Sequence, residues 1–113
     1  MQPAPIPENE KERLLSLHTL GLLDTKPEER FDRITRTATK VFNVPISTLT
    51  LVDEKREWFK SVCGLDQKEG DRAISFCGHA LLANKIFVIP DTKKDKRFFD
   101  NPMVIGKPYI RFY

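Results

Sequence analysis

The run Ile46-Ser-Thr-Leu-Thr-Leu-Val52 limits what this chain can fold into more than any other stretch. It is rich in β-branched residues and apolar on both alternating faces, as an inner strand covered on both sides must be. Covering it falls to a chain of 113 residues, 40% of them apolar. A chain of that length buries roughly two-thirds of its unfolded surface, enough for one core with little stability to spare. Asp53-Glu54-Lys55-Arg56 then reads as a polar turn, and Glu57–Cys63 as a returning strand. Trp58, Lys60 and Val62 fall on one of its faces, Phe59, Ser61 and Cys63 on the other. The two strands make an antiparallel hairpin.

Helices precede the hairpin. Residues 1–8 carry Pro3, Pro5 and Pro7 and read as a flexible lead-in, because proline opposes both helix and strand. Asn9 with Glu12 fits a capping box, Leu14, Leu17 and Leu20 keep near-helical spacing, and Gly21 ends the segment, so a first helix is expected over about 10–20. Its leucine stripe suits a core-facing helix and a helix that pairs with a partner chain equally well. Thr25 with Glu28 repeats the capping pattern, with Pro27 in the first turn. Phe31, Ile34, Ala38, Val41 and Phe42 trace one face of a second helix. Its polar face, with Glu29/Arg33 and Asp32/Arg36 four residues apart, reads as solvated.

After the hairpin, Gly64–Arg72 reads as a polar loop. Ser75 can cap a short helix through about Ala83, Ile86–Ile89 is a third strand stopped by Pro90, Asp95–Phe99 forms one helical turn, and Pro108–Tyr113 begins a fourth strand. No repeat or low-complexity segment occurs.

Several classes fall away on composition. The longest uncharged run, Val41–Val52, has 12 residues, whereas a membrane span needs about 20. The first residues lack the basic and apolar regions of a signal peptide, so a cytoplasmic location is expected. Two cysteines make no disulfide framework and read as structural thiols. The net charge of +3 is spread over interleaved acids and bases, without the basic stripe that nucleic-acid binding requires.

Four phrases then narrow the reading: Leu20-Gly-Leu-Leu-Asp-Thr-Lys-Pro-Glu-Glu-Arg-Phe-Asp-Arg33, Leu51-Val-Asp-Glu-Lys-Arg-Glu-Trp-Phe-Lys-Ser61, Ile74-Ser-Phe-Cys-Gly-His-Ala-Leu81 and Asp95-Lys-Arg-Phe-Phe-Asp-Asn-Pro102. Together with the helix-helix-hairpin order, they make residues 9–113 resemble the GAF domain family, in particular the bacterial members found in front of histidine kinase or diguanylate cyclase output domains. The resemblance implies an α+β fold: a central antiparallel sheet with the N-terminal helices on one face and a small-molecule pocket on the other. Ser75–Leu82 and Asp91–Asn101 would roof that pocket. It also implies further strands and a closing helix beyond Tyr113, one strand lying beside Ile46–Val52, so the chain is expected to form an incomplete domain that associates or swaps strands.

The candidate site follows from this frame. Trp58, Phe59, Phe76, Phe98, Phe99 and Tyr109 are placed to line an apolar pocket able to stack a purine ring, with Ser75, Cys77 and His79 in its roof, and Asp91 and Arg111 to orient a charged ligand. Each has a plainer reading: core filling for the aromatics, turn capping for Asp91, a surface ion pair for Arg111. Cys77 and His79, two apart on a helix, point about 200° apart and do not converge as nucleophile and base. Cys63 and Cys77, thirteen residues apart between them, match no zinc signature. Gly78 separates Cys77 from His79, unlike the adjoining Cys-His of bilin-attaching relatives. The expected function is a sensory domain that binds a cyclic nucleotide, purine or other metabolite, with no catalytic residue of its own and no particular cofactor indicated. The alternatives are a dimerisation scaffold without ligand and a thiol redox sensor or free methionine sulfoxide reductase-like enzyme.

Overall fold

A computed structural model describes all residues from Met1 to Tyr113. Helix α1 spans Glu10–Thr19 and α2 spans Glu29–Val41, followed by strands β1, Ser47–Val52, and β2, Arg56–Cys63. The third strand of the sheet, β3, is Glu69–Asp71. A short α3, Phe76–Ala80, and a one-turn α4, Pro102–Ile105, complete the regular elements. The fold is α+β, with three antiparallel strands in the order β1-β2-β3.

The hairpin forms as expected, with Leu51 opposite Trp58 and Thr50 opposite Phe59, but a bulge shifts the register so that Leu49 meets Ser61. The bulge breaks the simple alternation of β2, and Glu57–Ser61 are buried in succession. Gly64 closes β2 at φ +88°, where a Cβ would stand 2.0 Å from the Pro45 carbonyl oxygen, so only glycine fits.

Three sequence expectations need correction here. Ile86–Ile89 forms no strand: the third strand comes from the segment read as a polar loop, where Glu57 pairs with Gly70 and Trp58 with Glu69. Polar residues suffice because the strand lies at an edge and is held by backbone bonds. Ile89 instead exchanges two backbone hydrogen bonds with Tyr113, and the Thr92 amide bonds to the Arg111 carbonyl, a contact too short to make Pro108–Tyr113 a strand. The helix expected through Ala83 ends at Ala80 and continues only as turns.

The caps also differ. Asn9 makes no side-chain cap bond, because its backbone, at φ −91° and ψ 22°, lacks the extended form that turns a cap side chain onto the first-turn amides; Glu10 pairs with Arg13 and Arg72. The Thr25/Glu28 box does not form: the Thr25 hydroxyl donates to the Leu22 carbonyl, Lys60 Nζ reaches Thr25 and Glu28, and α2 starts only at Glu29. The apolar stripe of α2 does not enter the core, since Ile34, Val41 and Phe42 are 53–72% exposed. The helix meets the sheet through a polar seam, in which buried Thr35 lies 2.8 Å from the Ser61 hydroxyl and that hydroxyl donates to Asp32 at 2.6 Å. Asp32 is thus taken by the sheet, and Arg36 pairs with Glu29. The face read as solvated is in part the docking face.

Neighbouring β1 residues point to opposite faces, so α2, on the Leu49/Ser61 side, and α3, whose Cys77 adjoins Thr50, cover the sheet from its two sides. Strand β1 is covered above and below yet stands at the sheet edge, and no backbone hydrogen bond reaches it from beyond β2. The buried apolar cluster lies on the α3 side, where Phe76, Ile89, Phe98 and Val104 are joined by Met1, Phe87, Ile110 and Tyr113.

Candidate functional site

Residues 72–80 build the site from backbone upward. Arg72 anchors the segment: its guanidinium is buried, bonds both carboxylate oxygens of Glu10 at 2.6 and 3.2 Å, and reaches the Asp53 and Glu54 carbonyls. Its own carbonyl accepts the Ser75 hydroxyl at 2.9 Å, while Ser75 Oγ accepts the Gly78 amide at 3.0 Å. This cap starts α3 and sets the directions of Phe76, Cys77 and His79.

Phe76 stacks between Phe98, at 4.7 Å between ring centroids, and Tyr113, at 5.0 Å. These spacings leave no room for another ring between them. His79 meets the Phe98 ring edge-on at 4.8 Å, and its Nε2 lies 2.8 Å from the Gln2 carbonyl oxygen. The two roof segments therefore clasp each other through aromatic contacts. Cys77 turns toward the sheet, with Sγ 3.5 Å from the Tyr113 hydroxyl, so Cys77 and His79 diverge.

Beneath Cys77 lies a group that pattern reading passes over. Glu57 is 7% exposed and forms no ion pair; its carboxyl adjoins Cys77, and a Cβ on Gly70 would stand 3.1 Å from its Oε1. Burial holds its pKa above the ordinary carboxylate range. Burial also pushes the Cys77 thiol up to about 11, with Glu57 adding to the effect, and raises the Tyr113 phenol. This patch favours uncharged forms and provides Thr50, Glu57, Cys77 and Tyr113 as hydrogen-bonding groups against apolar rings. Such a mix suits a ligand with a ring and polar edges. It suits thiolate chemistry poorly.

The remaining sequence candidates are placed as follows. Phe59, opposite Thr50, is buried on the α3 side, whereas Trp58, opposite Leu51, is buried on the α2 side. Asp91 caps the turn Thr92–Lys94 by accepting the Lys93 amide at 3.0 Å. Arg111 donates to the Val104 carbonyl at 2.8 Å and lies over the Tyr109 ring. Thus Ser75, Phe76, Cys77, His79 and Phe98 gather around α3; Phe59 lies on the same side of the sheet but outside the aromatic cluster, while Trp58, Asp91 and Arg111 stand elsewhere. The missed members are Thr50, Glu57 and Tyr113. Glu57 carries one legible signal, an acid at the start of an apolar strand, but a turn acid looks the same.

Two open grooves lie outside this cluster. One, of about 650 Å³, runs between Pro3-Ala4-Ile6 and the tip of the hairpin with β3; the other, of about 330 Å³, follows the free edge of β1 between Leu17, Leu20 and Leu81. No group of side chains has the make-up of a metal site, and no helix is long and apolar enough to cross a membrane.

Residues 26–113 match the GAF domain model. The whole chain is also 41% identical, over 113 residues, to a cyclic di-GMP phosphodiesterase of Pseudomonas aeruginosa. The chain spans 19% of that relative's length.

Proposed function

This chain belongs to the GAF domain family, and on that premise we propose that it is a sensory module whose small-molecule site lies beneath α3, on the sheet face that carries Glu57. The observation that carries the reading is the Glu57 carboxyl itself. A buried acid without a cation lowers stability, and such groups concentrate where a ligand or reaction needs them. A ligand presenting a hydrogen-bond donor to Glu57 and a ring to Phe76 and Phe98 would offset that cost. Because the rings are stacked tightly, binding requires α3 and the Asp91–Asn101 segment to shift, and that shift is the signal: a ligand that favours one arrangement changes the populations of both. The relative's name adds a cyclic di-GMP phosphodiesterase to the histidine kinase and diguanylate cyclase outputs expected of this family.

A thermal-shift screen of cyclic nucleotides, purines, amino acids and haem-like or flavin compounds tests the reading. Ligand at a hundred times its dissociation constant adds about 2.7 kcal/mol to native stability, and Glu57→Gln should weaken the response. A screen without hits, together with melting that depends on protein concentration, would favour the dimerisation scaffold, which draws its own support from the exposed Ile34, Val41 and Phe42 of α2 and the free edge of β1. The thiol-enzyme reading draws none, since Cys77 stays protonated at neutral pH and His79 faces away from it.

A further inference from the structure

The proline-rich segment read from sequence as a lead-in crosses the outer face of α3. The Gln2 amide donates to the Arg97 carbonyl at 3.2 Å, while the Gln2 carbonyl accepts from His79 Nε2 at 2.8 Å. One residue thus ties both roof segments from outside. Met1 packs its side chain against the Phe76–Ile89–Phe98–Val104 cluster, and its sulfur lies 2.8 Å from Asn101 Nδ2. Ala4 comes so near the helix that a Cβ on Gly78 would sit 3.6 Å from its methyl group and 3.1 Å from Ser75 Oγ. The Ala4 distance is one of ordinary van der Waals contact, so the segment lies directly against the helix, and Pro3 and Pro5 hold it extended at little entropic cost.

From these contacts we propose that residues 1–4 are a strap that holds α3 closed over the Phe76–Phe98–Tyr113 cluster, and that release of the strap opens the space beneath α3. The helix lies between the strap outside and the rings and Cys77 inside, so α3 cannot lift while Gln2 bridges His79 and Arg97. The strap rests on the contacts alone. Its role in admitting a ligand rests on the sensor reading above.

Cys77 is the internal probe. In a Cys63→Ser background, its alkylation by iodoacetamide is measured in the full chain, after deletion of Gln2–Pro7, and in His79→Leu, which removes the bond to Gln2 but keeps an apolar contact with Phe98. Both variants should react at least tenfold faster, while exchange of the Phe59 amide in β2 changes by a much smaller factor. Amide exchange in the unmodified chain provides a second measurement that depends on no variant. The Gln2, Leu81 and Leu82 amides should share one opening step that occurs more often than that of Phe59. The proposal is overturned if the Cys77 rate does not change, if it rises only in step with Phe59 exchange, or if the strap and α3 amides exchange only with the sheet. If either variant fails to fold by circular dichroism, the exchange measurement decides. Opening without any ligand response in the thermal-shift screen would leave the strap standing and count against the sensor reading.

Discussion

Glu10 and Glu57 are both carboxylates in largely buried surroundings, and their neighbours drive them in opposite directions. Hydrogen bonds from Arg72 and then Arg13 hold Glu10 down at about 2, so the folded state holds its proton less tightly than the unfolded chain. The stability this provides is fully present above about pH 4.5 and is lost as pH falls toward 2. Glu10→Gln should therefore cost about 1.5–3 kcal/mol at pH 7, the range for charge-assisted hydrogen bonds, and progressively less below pH 4.5, as read from urea midpoints across pH. Glu57 is raised by desolvation, so ionising it in the folded protein lowers stability, and the loss disappears as pH falls to the unfolded carboxylate range. Glu57→Gln should melt above the parent protein at pH 8 and level with it near pH 4. Calorimetry at the two pH values checks this, and a lower melting point for the variant at pH 8 would mean that the carboxylate has a stabilising partner. Neither behaviour is legible in the sequence, because Arg72 is sixty-two positions from Glu10 and no local pattern joins them.

At the scale of elements, sequence reading performs best where hydrogen bonds and side-chain period are local. The first helix and both hairpin strands fall within a residue of their expected bounds, while α2 starts three residues after the start that a Thr25 cap sets; periodicity, proline placement and β-branching act within a few residues, but neither expected cap forms. It fails where an element exists only through its neighbour. Strand β3 is Glu-Gly-Asp, with no strand propensity of its own, and it forms because β2 offers a free edge. The stripe on α2 is periodic yet largely exposed, because the polar seam with Ser61 decides which side docks. Strand β1 carries Ser47-Thr-Leu-Thr-Leu-Val52 along an open edge without lysine, proline or an outward bulge, which is the pattern that invites edge-to-edge pairing. This polypeptide by itself should therefore grow in sedimentation mass with concentration over the micromolar range, and Thr48→Lys should shift it toward the monomer while the far-ultraviolet spectrum stays unchanged.

Over the whole molecule, most carboxylates with displaced pKa values are displaced downward by nearby cationic groups: arginine, lysine or the terminal amine for Asp24, Glu28, Asp95, Asp100 and Glu10, and His18 ahead of Arg56 for Asp53. Their stabilisation is lost as pH drops below the unfolded carboxylate range, and Glu57 alone works against that trend. Stability should thus be nearly level between pH 6 and 8 and fall below about pH 4.5, with 0.5 M salt reducing the drop because the exposed pairs are screened; an acid limb unaffected by salt would place the titration in buried groups. The helices, the hairpin and the α+β class are legible in the order of residues, as is the family to which residues 26–113 belong, because each rests on short-range chemistry or on phrases that survive as strings. That Glu57 lies beneath Cys77 without a cation, that Trp58 faces away from the aromatic cluster, and that the proline-rich start of the chain lies across α3 became settled only in the folded chain. Burial and partnership are set by which distant segments meet, and residues two, fifty-seven and seventy-nine carry no mark of that meeting until the chain has closed on itself.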